Sequence, residues 1–219
     1  NDMAAELFHA KYNDFRSLTG MNTVALILMT LIDKGTKILI TDPQAGGHGS
    51  LPKLCDNLGI QYAPIPYDYM RMQIDYDGLN QILEQDSRVS FLFFCQSDII
   101  QPPELQKINL PPKVGIIYDA TQTLGLIAGG ALPNPLEACQ NIIMIGGTHK
   151  TFPSVTCGYV ATTNDNYINR VKQNISPNFL RNVQVNNITS VCLSMLEMLK
   201  FGEAYAQKII WTACTGGCS

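Results

Sequence analysis

A carboxylate and an amine, each closing an apolar run, are the first residues of this sequence with chemical potential. Asp119 ends Val114–Gly115–Ile116–Ile117–Tyr118–Asp119, and Thr148–His149–Lys150 follow Asn141–Ile142–Ile143–Met144–Ile145. If the two runs are neighbouring strands, Asp119 and Lys150 face one cleft. A desolvated lysine amine is neutral and nucleophilic, which suits a Schiff base with a carbonyl cofactor, and a carboxylate suits that cofactor's pyridinium nitrogen. The plainer reading is a surface Asp and a surface Lys, since both types are mostly exposed. Thr19–Gly20–Met21 opens a helical pattern. Free amide hydrogens there attract an anion, and glycine lets the backbone approach closely. Ordinary N-capping by Thr19 reads equally well. His48 sits in Gly46–Gly47–His48–Gly49–Ser50, beyond an apolar run closed by Asp42–Pro43. It is either a turn residue or a ring that stacks on a planar ligand.

Alternating strands and helices must position these groups. Short apolar runs predict buried strands over 37–42, 90–94, 114–119, 141–145 and 158–162. Helical spacing predicts helices over 4–11, 22–34, 51–58, 78–85 and 188–201, with the second ending near Gly35. Continuous apolar strands interleaved with helices indicate an α/β fold with a mostly parallel sheet covered by helices on both faces. Chemistry in such a sheet concentrates at the carboxyl ends of the strands. Residues 211–219 show no periodicity and read as a frayed end.

Composition narrows the function. The 219 residues are 46% hydrophobic and only 15% charged, with a formal net charge of −3. A basic excess or Lys/Arg cluster is missing, which argues against a nucleic-acid partner. The longest apolar run, Val24 to Ile32, is too short to cross a bilayer. Seven scattered cysteines without a close framework predict reduced thiols in an intracellular, cytoplasmic protein. Cys214 and Cys218 form the closest pair, but with three histidines and no second pair no metal site is expected.

Taken together, these stretches resemble serine hydroxymethyltransferase and its relatives among the fold-type I pyridoxal-phosphate enzymes. The carrying stretch is Asp119–Ala120–Thr121–Gln122–Thr123–Leu124–Gly125–Leu126, then Pro133–Asn134–Pro135, then Thr148–His149–Lys150–Thr151. The family pattern is Asp-x-Ala-His-x-x-Gly-Leu, Pro-x-Pro and Thr-His-Lys-Thr, and Asp119 and Lys150 stand 31 positions apart (150 − 119), as it requires. Glu6–Leu7–Phe8, Tyr12, Thr19–Gly20, Gly46–Gly47–His48 and Ile74–Asp75–Tyr76–Asp77 match further family segments. The likeness covers roughly residues 4 to 205. It implies an aspartate aminotransferase-like large domain over 1–205, which binds pyridoxal 5′-phosphate, and a tail over 206–219 leading toward a small domain outside the chain.

The resemblance also implies roles. Lys150 holds the internal aldimine, Asp119 keeps the ring nitrogen protonated, and His48 stacks on the pyridine face. Thr19, Gly20 and His149 help hold the phosphate, Met21, Gln122 and Thr148 also belong to the cofactor-binding set, and Ser97 lies near the phenolic oxygen. Several positions depart from the pattern. Gln122 replaces a histidine at the cofactor's edge, Met21 a phosphate-binding serine, Gly147 a threonine and Thr156 an arginine, and a Gly-Gly-Pro stretch near Gln184 is missing. None of Arg16, Arg71, Arg88, Arg170 and Arg181 matches the carboxylate-binding arginine, which is expected beyond Ser219. The implied activity is aldol-type chemistry on a small α-amino acid, through an external aldimine, in a homodimer. An aminotransferase, a β-eliminating enzyme or a non-catalytic relative serving as a partner domain would share the same fold.

Overall fold

The computed structural model describes residues 2–215, the side chain of Pro177 excepted. Helix α1 (Asp2–Phe8), strand β1 (Tyr12–Asp14) and helix α2 (Gly20–Leu31) come first. Strand β2 (Lys37–Ile40), helix α3 (Ser50–Leu58) and strand β3 (Gln61–Pro64) make a parallel crossover unit. A two-stranded ribbon, β4 (Tyr67–Asp68) and β5 (Gln73–Ile74), leads into α4 (Tyr76–Gln85) and β6 (Val89–Cys95). Then follow β7 (Gly115–Asp119), α5 (Leu124–Ala128), β8 (Ile142–Gly147), β9 (Gly158–Thr162), α6 (Asp165–Asn174) and α7 (Val185–Thr215).

Seven strands lie in the order β1-β9-β8-β7-β6-β2-β3. The five from β3 to β8 are parallel, β9 is antiparallel to β8, and β1 is antiparallel to β9. Alternate residues of each central strand enter two separate hydrophobic clusters. Phe91, Phe93, Ile117, Ile143 and Ile145 pack with Val24, Ile27 and Leu28 of α2 and Leu51 and Cys55 of α3. Leu92, Phe94, Ile116, Ile142 and Met144 pack instead with Phe8, Leu79, Leu83, Leu124 and Met195. Because strand side chains alternate with period two, strands buried on both faces must be apolar throughout. That is why they read as uninterrupted runs.

The chain passes from β2 outward to β3 and then returns across β2 to β6. The segments leaving β2 and β6 therefore part toward opposite faces, α3 entering one cluster and Leu105, Ile108 and Leu110 the other. Such a switch point opens a crevice at the strand ends.

Differences from the sequence reading have local causes. Strands β1 and β3 lie toward the sheet's edges and are too short and polar to show as apolar runs. Helix α1 stops at Phe8 because His9 takes a left-handed φ of 52°. Residues 211–215 are helical, continuing α7, so the aperiodic end read there starts no earlier than position 216. Cys218 lies outside the described residues.

Gly158 of β9 fixes where α2 begins. A Cβ there would lie 2.1 Å from Ser17 Oγ and 2.2 Å from Thr23 Oγ1, two buried hydroxyls 2.6 Å apart. We expect Gly158→Ala to lower stability by about 1–3 kcal/mol through overpacking, read as a Tm lowered by roughly 2–4 °C per kcal/mol for a chain of this size. An unchanged melting curve would show that the α2 entry segment is free to move aside.

Candidate active site

The strand pattern that builds the core also aims the site. On β6 and β7 the parity that sends Phe93 and Ile117 toward α2 sends Cys95 and Asp119 the same way, and these two are paired across the strands. Asp119 Oδ1 accepts from the Thr121 N–H at 2.9 Å and the Thr121 hydroxyl at 2.5 Å, while Oδ2 accepts from the Cys95 thiol at 3.3 Å. Burial pushes the Asp119 carboxyl above its usual range, and these donors, with His48 nearby, pull against that shift. Burial, then the Asp119 charge, pushes the Cys95 thiol far up, which keeps it a proton donor.

The glycine loop forms one wall. Gly46 has a φ of 84°, and its carbonyl accepts from the N–H groups of Ser97 (2.9 Å) and Asp98 (3.1 Å). The His48 N–H donates to the Cys95 carbonyl at 2.8 Å. A Cβ on Gly46 would lie 2.2 Å from the Asp98 carbonyl oxygen, and one on Gly47 2.2 Å from that of Thr41. The backbone can zip onto the end of β6 only because both residues are glycine. His48 is thereby set beside Cys95. Its Nδ1 accepts from the Ser50 N–H (3.3 Å) and lies 2.6 Å from Ser50 Oγ. A backbone N–H can only donate, so the ring proton of the neutral imidazole sits on Nε2.

The start of α2 forms the facing wall. Thr19 is its N-cap, accepting from the Asn22 N–H at 3.2 Å. The amides of Gly20 and Met21 are left outside the helix's own hydrogen-bond ladder.

Lys150 is carried on the turn between β8 and β9, and threonines hold that turn from within. Thr148, fully buried, donates to the Val155 carbonyl at 2.5 Å and its N–H binds the Cys157 carbonyl at 3.0 Å. Thr151 Oγ1 accepts from the Gly125 N–H (3.1 Å) and donates to the Gln122 carbonyl (2.9 Å), and its own carbonyl accepts from Tyr205 of α7 at 2.9 Å. Gly125 is required there, since a Cβ would lie 2.1 Å from the Thr151 carbonyl oxygen. His149 and Lys150 stay exposed on the rim.

Between these parts lies a cleft of about 560 Å³. Thr19, Gly20, Met21, His48, Ser97, Asp119, Gln122, His149 and Lys150 all line it, as do Cys95, Gln96, Asp98, Thr121 and Thr156.

Comparison with known proteins decides the kinship. The chain is 32% identical over 218 residues to the serine hydroxymethyltransferase of Sulfolobus acidocaldarius, covering 96% of the chain and 49% of that protein. It is 31% identical over 218 residues to that of Picrophilus torridus, covering 97% and 50%. The chain is serine hydroxymethyltransferase-like. It spans about half the length of the curated relatives it matches. Among solved structures, L-threonine transaldolase from Pseudomonas fluorescens, in its internal aldimine state, superposes with a TM-score of 0.88 at 24% identity. That match covers 95% of this chain and 48% of the other, and it shares the fold-type I architecture. No family model matches the chain.

Within the serine hydroxymethyltransferase-like pattern, one expected contact is corrected. Thr148 does not line the cleft: its hydroxyl is spent on the Val155 and Cys157 carbonyls, so it shapes the lysine turn from within. Cys95 and Thr121 were not singled out from the sequence. Cys95 reads there as one more apolar strand residue, and Thr121 stands where the family has alanine. Four arginines are already held by carboxylates, Arg16 by Asp14, Arg71 by Asp68, Arg88 by Asp86 and Arg170 by Asp33, and among the described residues no arginine lines the cleft.

Thr151→Val removes the one group that serves both Gly125 N–H and the Gln122 carbonyl. We expect a loss of about 1–3 kcal/mol, the cost of stranding partly buried polar groups, measured by urea unfolding. A midpoint equal to the parent's would mean that water replaces the hydroxyl there.

Proposed function

We propose that this cleft binds pyridoxal 5′-phosphate through Lys150, and that the whole protein is an enzyme making and breaking the Cα–Cβ bond of a small α-amino acid. The observation that carries the reading is the meeting of a buried, donor-ringed carboxylate with an exposed lysine at neighbouring strand ends, in one cleft. A flat ring with an acidic phosphate arm fits this donor set. The carboxylate meets a ring nitrogen, the amides of Gly20 and Met21 at the positive end of α2 meet the phosphate, and His48 offers an imidazole face. Kinship with serine hydroxymethyltransferases supports the same reading.

Bound there, the cofactor supplies a ring that accepts the electron pair released at the substrate's Cα. The chain's own residues do the rest. Lys150, exposed at the rim of the cleft, would hold the cofactor covalently through Nζ where a substrate amino group can reach it. Asp119, anionic inside the cleft, holds a proton at the ring nitrogen by a charge-assisted hydrogen bond. His149 adds a donor beside the phosphate, Ser97 and Gln122 line the ring's polar edge, and Met21 closes the α2 side. The glycine loop and the Thr148–Thr151 turn keep these groups at fixed separations, the positioning that lets a bond cleave with its orbital aligned to the ring.

The domain reading belongs with this proposal: residues 1–205 form the cofactor-binding large domain, and 206–219 lead toward a small domain. So does a cytoplasmic homodimer. Exposed Leu193, Leu196, Phe201 and Trp211 on α7 support a covered face, and six free cysteines among the described residues support a reducing compartment.

Two outcomes test the reading. Purified protein with added cofactor is expected to turn yellow, and borohydride is expected to fix the cofactor to the peptide carrying Lys150. A label on another lysine, or a chromophore that survives Lys150→Ala, would reject the assignment. In the complete enzyme Asp119→Ala is expected to slow turnover by about 10²–10³-fold, the range for removing one preorganised electrostatic contact, while circular dichroism stays as in the parent. Full activity of that variant would remove Asp119 from the chemistry.

A further inference from the structure

The Asp119 carboxylate is held by Thr121, which stands where the family pattern has alanine. Thr121 Oγ1 accepts the Gly147 N–H at 2.9 Å. A hydroxyl has one proton to give, and here the acceptor in reach is Asp119 Oδ1, which also accepts the Thr121 N–H. A single side chain thus links the ends of β7 and β8. It also touches the start of α2: a Cβ built on Gly20 would lie 3.4 Å from Thr121 Oγ1 and 3.3 Å from Gly147 N. On the other carboxylate oxygen the Cys95 thiol supplies a donor from β6.

We propose that Thr121 is a positioning residue that orients the Asp119 carboxylate and keeps it anionic toward the cofactor's ring nitrogen, with Cys95 as its weaker counterpart on Oδ2. The inference rests on the pyridoxal-phosphate reading given above. The reasoning is one of polarity. A carboxylate out of water favours its neutral form unless donors meet it, and donors to the charged form reverse that preference. Among the described residues Thr121 provides two of the three donors that reach Asp119. With the hydroxyl removed, Asp119 takes up a proton more readily and the ring nitrogen loses its ionic partner. The Gly147 N–H also loses its acceptor, so the end of the strand leading to Lys150 loosens at the same time. The other titratable groups around Asp119 are Cys95 on β6, Tyr118 beside it on β7, His48 on the glycine loop, Asp98 in the segment after β6, and His149 and Lys150 across the cleft. The cationic forms among these favour the anion and the Asp98 carboxylate opposes it, and among the described residues only the Cys95 thiol joins Thr121 in donating to it.

Two readings on the same proteins test this. In cofactor-free protein carrying ¹³C-carboxyl aspartate, Asp119 is expected to take up its proton at higher pH in Thr121→Val than in the parent, by about one unit, a tenfold change. Thr121→Ser is expected to match the parent, and Cys95→Ala to shift in the same direction by less. In protein loaded with ring-¹⁵N pyridoxal phosphate, the nitrogen resonance is expected to move from the protonated toward the neutral position in Thr121→Val and to return in Thr121→Ser. If Thr121→Val does not fold, the Ser and Cys95→Ala variants still decide. A Ser variant displaced from the parent, or a Cys95→Ala titration unchanged, overturns the proposal. A Thr121→Val protein with parental titration and parental nitrogen resonance overturns it as well, leaving the cofactor reading intact. A parent protein that takes up no pyridoxal phosphate overturns the cofactor reading and this proposal with it, whatever the carboxyl titrations show.

Discussion

A carboxylate withdrawn from water must be met by donors or it neutralises, and the structure around the cleft is organised by meeting that demand at Asp119. The donors come from two directions. Cys95 reaches it from the neighbouring strand, and the Thr121 backbone and hydroxyl reach it from the turn beyond β7. Thr121 is in turn tied to Gly147 on β8. Burial, and then this same carboxylate, keeps the Cys95 thiol protonated, so the thiol remains a donor to Asp119. Three strand ends are thereby brought into register around one negative charge.

Close backbone approach is the second constraint. Gly46 and Gly47 let the loop after β2 lie on the end of β6, Gly125 lets α5 press on the lysine turn, and Gly158 leaves room for the entry to α2. At each of these places a methyl group would meet a neighbouring oxygen at 2.1–2.2 Å. The glycines therefore work as distance-setters for His48, Lys150 and the α2 amides. None of them touches a reacting group itself.

The threonines of the lysine turn show how a motif divides its labour. Thr148 and Thr151 flank His149–Lys150 and both turn inward, one toward β9 and the other toward α5. That leaves the two residues between them outward at the rim. The turn is stiff because its hydroxyls are spent within the protein, and a stiff turn presents the lysine amine at a fixed place over the cleft.

Much of this was legible in the chain itself. Apolar runs over β2, β6, β7, β8 and β9 are uninterrupted because both faces of those strands are buried, so the sheet and its carboxyl-end site followed from hydrophobicity alone. Asp119, His48, Lys150 and Thr19–Gly20 each had an ordinary structural reading taken singly, and stood out through their position at strand ends together with their joint match to the family pattern. Other features depended on partners distant in sequence. β1 and β3 are strands only because β9 and β2 pair with them. α7 continues through residues 206–215 past the point where its sequence pattern fades. The inward turn of Thr148, the thiol donor at Cys95 and the shared hydroxyl of Thr121 exist only after Val155, Asp119 and Gly147 have been brought beside them. Sequence determines which groups can donate, accept or bury. Which of them meet is decided by strand order and register, since a hydrogen bond needs its partner within about 3 Å and only the folded sheet brings residues 95, 121 and 147 that close.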